Sequence, residues 1–196
     1  MITARVSHLS EFARWKYDED LDVGWMINRI TSNEETEQMR KGTAFHKFLE
    51  LANEGKYDKA NLDGYTFAFA GDFEVYLPVV REWRKDKDYG GITVTGKLDC
   101  IEGRTIYDSK TTERFDAEKY LDSWQWRFYL DIFDADQFTW LVWEMNELEE
   151  PQSYGVHHLH RLTQYRYPSM HEDCRQLAQE YREFAEKYLN EYEVKL

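Results

Sequence analysis

Residues 92–110 constrain the fold more than any other stretch. Ile92-Thr93-Val94-Thr95 and Thr105-Ile106-Tyr107 are rich in β-branched and aromatic side chains, and Glu102-Gly103-Arg104 between them offers a tight turn. The pattern predicts a strand over 92–101 that returns antiparallel over 105–110. Side chains alternate faces along a strand, so Asp108 and Lys110 share one face. The hairpin sets Asp99 beside them. Two carboxylates and one lysine then converge on a point. Carboxylate oxygens are the ligands of hard divalent cations such as Mg²⁺, and a lysine at such a centre can steer or deprotonate a water. Asp-x-Lys alone is a common chance pattern and reads first as a surface ion pair. Gly96 before Asp99 and Thr111-Thr112 after Lys110 add context, because small residues let backbone and substrate approach closely.

With 196 residues, 42% of them hydrophobic and seven of them Trp, the chain can bury a sizeable core. The expectation is a single domain over 1–196. Residues 1–55 would form N-terminal helices, 90–135 the hairpin and its following helix, and 136–196 a second hairpin and a terminal helix. No apolar run reaches membrane-spanning length. The opening Met1-Ile2-Thr3-Ala4-Arg5-Val6-Ser7 lacks the apolar segment of a signal peptide. A soluble, cytoplasmic protein is expected. Cys100 and Cys174 form no CxxC pair and are too few for an iron–sulfur cluster or a Cys₄ zinc site. The net charge of −13 counts against nucleic-acid binding through bulk charge, though not against a local basic groove.

Along the chain, helices are predicted over 7–17 and 20–30. Asn33 is read as the cap of a longer helix that has Glu34 and Glu35 in its first turn and ends near Gly55. Residues 58–71 carry no clear pattern. A helix is expected from Phe73 or Leu77 to Lys87, with Pro78 in its first turn. Another follows over 116–133, then strands over 138–145 and 154–162. Pro168 and Ser169 start a terminal helix through Tyr192. The order gives an α/β fold with a central mixed sheet and helices packed on it.

Two further constellations lie on helices. Gly42, His46 and Glu50 are spaced four apart and share a face, oblique to the Phe45, Phe48 and Leu49 stripe. His46 there is either a metal ligand or a surface histidine paired with Glu50. Mid-helix Gly42 costs about 1 kcal/mol relative to Ala, and is explained by something packing close against that turn. Gln125 and Tyr129 likewise share a face. Their amide and phenol can hydrogen-bond a phosphate or a water, or simply sit at the surface.

Taken in order, Gly42…His46, Gly96…Asp99, Asp108-Ser109-Lys110-Thr111 and Gln125…Tyr129 resemble the PD-(D/E)XK nuclease superfamily. Within it they resemble the RecB-like branch, which includes RecE-type phage exonucleases. That pattern is G-x-x-x-H on a helix, G-x-x-D on a strand, D/E-x-K-T on the next strand, and Q-x-x-x-Y on the following helix. The resemblance spans about 42–129. It implies a restriction-endonuclease-like core and hydrolysis of DNA phosphodiesters with one or two Mg²⁺ or Mn²⁺ ions. By this resemblance His46, Asp99, Asp108 and the Ser109 carbonyl ligate metal, and Lys110 activates water. Gln125 and Tyr129 organise the site and touch the DNA backbone, with Gly42, Glu50 and Thr111 in support. It further implies a stand-alone exonuclease of phage type that processes DNA ends in recombination or repair. A recombinase or annealing protein, or further copies of the chain, would be its partners. The eight residues between Asp99 and Asp108 make a short spacing that requires a tight hairpin. The cluster-binding cysteines of many relatives are absent. An endonuclease with the same site, or a degenerate nuclease fold acting as a binding module, are the alternatives.

Candidate DNA contacts are sparse. Arg84 and Lys85 lie in a basic cluster before Gly90, Arg161 lies on the second hairpin, and Arg114 flanks the helix with Gln125. Each also reads as an ordinary solvated charge. Trp124 and Trp126 could stack on unpaired bases or pack in the core.

Overall fold

The computed structural model describes residues 2–32, 34–71, 73–75, 80–190 and 192. The chain opens with β1 (Ile2–Arg5), α1 (Val6–Tyr17), α2 (Val23–Thr31) and α3 (Glu37–Leu51). Six short strands follow: β2 (Gly55–Lys56), β3 (Lys59–Leu62), β4 (Tyr65–Phe69), β5 (Glu74–Val75), β6 (Val80–Arg81) and β7 (Arg84–Asp88). Next come β8 (Ile92–Lys97), β9 (Cys100–Glu102), β10 (Thr105–Thr112), α4 (Ala117–Leu121) and α5 (Gln125–Phe133). The long hairpin of β11 (Gln137–Glu147) and β12 (Ser153–Tyr165) and the helix α6 (Met170–Tyr188) complete it.

The main sheet is mixed and has seven strands, in the order β3-β4-β12-β11-β10-β9-β6. β11 runs parallel to β10 and antiparallel to β12. A parallel neighbour requires a crossover, and α4 with α5 supplies it. β1, β8 and β7 form a three-stranded sheet, and β2 pairs with β5.

β11 explains the layering. Phe138, Trp140 and Val142 face a core shared with Leu9 and Phe12 of α1, Phe128 of α5, and Leu177 and Tyr181 of α6. Trp143 and Met145, of opposite parity, face a second core with Phe45 and Phe48 of α3 and Phe67 of β4. A strand buried on both faces reads as a continuous apolar run rather than an alternation. The sheet is therefore flanked by helices on both sides, as expected. No described helix is long and apolar enough to cross a membrane.

Several elements differ from expectation. The helix expected up to Lys87 is instead strands β5, β6 and β7, and Pro78 lies outside the described residues. β7 reads Arg-Lys-Asp-Lys-Asp, and its main chain, not an apolar face, commits it to the sheet by antiparallel pairing with β8. The strand expected over 92–101 breaks at Leu98-Asp99, so β8 and β9 pair in different sheets. α3 is capped by Thr36, whose hydroxyl accepts from Met39 N, and has Glu37 in its first turn. Glu34 and Glu35 precede it, and Asn33 lies outside the described residues. It ends at Leu51, short of Gly55. The helix expected over 116–133 is two, α4 and α5, and the terminal helix stops at Tyr188 rather than Tyr192. The unassigned 58–71 stretch contains the β3–β4 hairpin.

Candidate active site

β10 carries the centre. Its hairpin with β9 pairs Glu102 with Thr105, Ile101 with Ile106 and Cys100 with Tyr107. Gly103 in the turn takes a left-handed φ of 56°, a conformation glycine adopts at no steric cost. This register sets Asp99 next to β10, where its Oδ2 accepts a 2.8 Å hydrogen bond from Ser109 N. α3 packs on the same face. His46 Nδ1 stands 3.4 Å from Asp99 Oδ2, and the ring also meets the Ser109 main chain. A Cβ built on Gly42 would lie 3.5 Å from Thr111 Oγ1, an ordinary contact. Close packing therefore does not require a glycine at 42, contrary to expectation.

The other face of β10 presents Asp108 and Lys110 to α5. The Asp108 side chain is 2% exposed and forms an ion pair with Lys110 through Oδ2. Gln125 Nε2 donates to Asp108 Oδ1 at 3.0 Å. One turn on, Tyr129 donates its hydroxyl to the Lys97 carbonyl at 2.7 Å. The buried phenol thus anchors the end of β8 just before Asp99. The break at Ser123-Trp124 places Gln125 in the first turn of α5, where Gln125 N is capped by Ser123 Oγ.

Burial sets the electrostatics. It pushes the Asp108 carboxyl up to about 7; Lys110 opposes this and Asp99 adds to it. Burial also lowers His46, against the pull of Asp99, so its imidazole is neutral near pH 7 with a lone pair available. Burial works against the Lys110 ammonium, but the Asp108 and Asp99 charges outweigh it and raise its pKa.

Two clefts open on this centre from opposite sides of the sheet. One, between α1 and the start of α5, has a volume of about 770 Å³ and is lined by Lys110, Thr111, Gln125 and Trp140 among others. The other is lined by His46, Glu50, Glu82, Asp99, Ser109 and Arg161. Glu82 was not foreseen. Its N–H donates to the Asp99 carbonyl at 3.0 Å, and its carboxylate pairs with Lys97. Burial and the Glu82 charge push the Glu50 carboxyl up. Glu82 lay in a segment read as helix, so no sequence signal linked it to Asp99.

The remaining candidates are dispersed. Arg161 lies in the cleft with Asp99. Arg84 turns to Thr95 and Asp86, Lys85 borders a separate cavity with Asp131, and Arg114 is exposed with its carbonyl bound by Thr112 Oγ1. Trp126 is buried, with its indole N–H donating to the Leu121 carbonyl, whereas Trp124 borders the larger cleft.

No family model and no curated relative matches this sequence. Solved structures do. The alkaline exonuclease LHK-Exo from Laribacter hongkongensis superposes with a TM-score of 0.51 at 9% identity, over 93% of this chain and 88% of that one. The chain shares its fold with that exonuclease. LHK-Exo in complex with dAMP gives a TM-score of 0.53 at 10% identity, over 94% and 88% of the two chains. The fold thus agrees with the α/β core of mixed sheet and flanking helices expected from the sequence.

Asp108 Oδ2 is buried with the Lys110 ammonium as its partner, and Asp99 offers a carboxylate beside His46. Among the described residues no three histidine, cysteine or carboxylate side chains already stand at metal-binding spacing. The donors fit a hard divalent ion in kind: carboxylate oxygens and one imidazole.

Proposed function

We propose that the chain is a single-domain, metal-dependent deoxyribonuclease acting as an exonuclease on DNA ends, in recombination or repair. One observation carries this reading. On an exonuclease fold, β10 joins two contact sets: Asp99 from the β8–β9 break with His46 of α3 and the Ser109 main chain on one side, and Asp108 and Lys110 with Gln125 of α5 on the other.

The division of labour is taken from the motif resemblance and supported by these contacts. His46, Asp99, Asp108 and the Ser109 carbonyl would hold Mg²⁺ or Mn²⁺. Such an ion lowers the pKa of water and neutralises charge on a phosphoryl group. Gln125 fixes the Asp108 carboxylate by donating to Oδ1, leaving Oδ2 to Lys110. The Lys110 side chain is 34% exposed and borders the larger cleft, so its ammonium can leave Asp108 for a water or a phosphate oxygen. Tyr129 acts behind the site, holding the end of β8 through the Lys97 carbonyl. With a net charge of −13, DNA contacts must be local, and Arg161 in the Asp99 cleft is the nearest candidate.

The test compares linear and covalently closed circular DNA, each with Mn²⁺ or with EDTA. Degradation of the linear form alone, and only with metal, is expected. Cutting of closed circles would replace the exonuclease reading by an endonuclease with the same site. No cutting of either form would overturn both.

A further inference from the structure

One face of β7 carries charge opposite in sign to the chain as a whole. Lys85 and Lys87 share a face of β7, and Trp83, just ahead of the strand, continues the alternation because its carbonyl still pairs with Leu98 N. That face meets the C-terminal half of α5. The Trp83 ring stands edge-on to Phe133, with 5.3 Å between centroids. Lys85 and Lys87 border a cavity of about 500 Å³ with Asp131, Arg166 and His171.

The carboxylates on this face are already matched. Asp131 accepts from Lys87, Tyr89 and His171, Asp134 pairs with Arg166 and Arg104, and Asp86 is held by Thr95 and Arg84. The Lys85 side chain is exposed and has no ion pair or hydrogen bond among the described residues. Trp83 is 45% exposed, a large indole left in water. Its carbonyl accepts from Leu98 N at 3.0 Å, one residue before Asp99. Glu82 ahead of it takes a left-handed φ of 53°, an uncommon conformation for a side-chain-bearing residue. Glu82 is thereby directed to the Asp99 cleft and Trp83 to the α5 face.

We propose that Trp83 and Lys85 form a binding strip for single-stranded DNA beside the catalytic cleft. An unpaired base stacks on the Trp83 indole, and a phosphate meets Lys85. The inference rests on the nuclease reading and deepens it by naming the form of DNA held. A single strand is indicated because unpaired bases offer free faces for stacking along their whole length, whereas a duplex offers them only at its ends. A duplex would also need a broad cationic footprint, and this strip offers Lys85 alone, since Lys87 is taken by Asp131.

The experiment follows fluorescence anisotropy of labelled oligo(dT), and of a duplex of equal length, on Lys110→Ala protein with Mg²⁺, so that binding is read without cutting. Adding Trp83→Ala should weaken oligo(dT) binding on the order of tenfold and leave duplex binding unchanged, while Trp83→Phe retains most of the affinity. Adding Lys85→Ala should reduce the salt slope of oligo(dT) binding by about 0.7, the value for one single-strand phosphate contact. Unchanged affinity for Trp83→Ala together with an unchanged slope for Lys85→Ala overturns the strip, as does equal weakening of duplex binding. Cleavage by protein with Lys110 intact is scored separately. If that protein cuts DNA and the strip variants bind normally, the strip alone is wrong; if it neither binds nor cuts, both readings fall.

Discussion

Replacing Asp131 by Asn should destabilise the protein without touching the catalytic carboxylates. The Asp131 side chain is 2% exposed. Its Oδ2 accepts from Lys87 Nζ at 2.8 Å, Tyr89 Oη at 2.8 Å and His171 Nδ1 at 3.0 Å. Three elements, β7, α5 and α6, are tied through this one oxygen. Removing one partner of a buried ion pair costs about 3–5 kcal/mol. Two features lower that figure: Asn keeps the shape and one acceptor, and the Lys87 and His171 side chains are 30% and 54% exposed and can regain water. A loss of about 2 kcal/mol remains, which for a chain of this size lowers Tm by about 4–8 °C. The pH dependence fixes the cause. Burial pushes Asp131 up, but the bonds from Lys87, His171 and Tyr89 outweigh it and hold its carboxyl below the usual range. A depressed carboxyl contributes stability above its unfolded value of about 3.9 and loses it as pH falls through the folded value. The Asp131→Asn deficit should therefore persist between pH 7 and 5 and shrink below about pH 4. Urea unfolding across this range measures it. Equal stability of the two proteins at pH 7, or a deficit that grows in acid, would refute the reasoning.

Other expectations follow from single contacts. A Cβ on Gly96 would lie 3.1 Å from Phe133 Cε2 and 3.2 Å from Tyr129 Cε1, so Gly96→Ala should cost about 1–2 kcal/mol by overpacking, read as a lower urea midpoint. An unchanged midpoint would mean the two rings yield freely. Burial pushes the Cys174 thiol up, and the Cys100 thiol up to about 12 with Asp99 adding to the effect. The thiolate is the reactive form, so an aromatic disulfide reagent at pH 8 should label neither quickly until urea is added. Fast labelling of native Cys174 would contradict its burial.

Parts of the candidate site were legible. Strand parity put Asp108 and Lys110 on one face, where they pair, but Asp99 meets the Ser109 main chain and His46 on the other side of β10 rather than converging with them. His46 and Gln125 needed only helical spacing. β7 was not legible because its five residues are all charged, so no apolar alternation marks a strand. The β3–β4 hairpin did carry a signal: Asp63-Gly64, with φ of 49° and 87°, is the paired left-handed turn that Asp-Gly favours. The break at Leu98-Asp99 could not be read, since a β-rich run does not reveal that its halves join different sheets. Glu82 reaches Asp99 only through that break, and so it was invisible from spacing.

The central claim is that Asp108 and Lys110 form the hydrolytic centre. The most direct measurement is nucleotide release from end-labelled linear DNA with Mn²⁺, comparing the parent with Asp108→Ala and Lys110→Ala. The account predicts release by the parent and a loss of about 10²–10⁴-fold in Lys110→Ala, the range for a positioned acid–base group, with Asp108→Ala at least as impaired. Release by either variant as fast as the parent would contradict it.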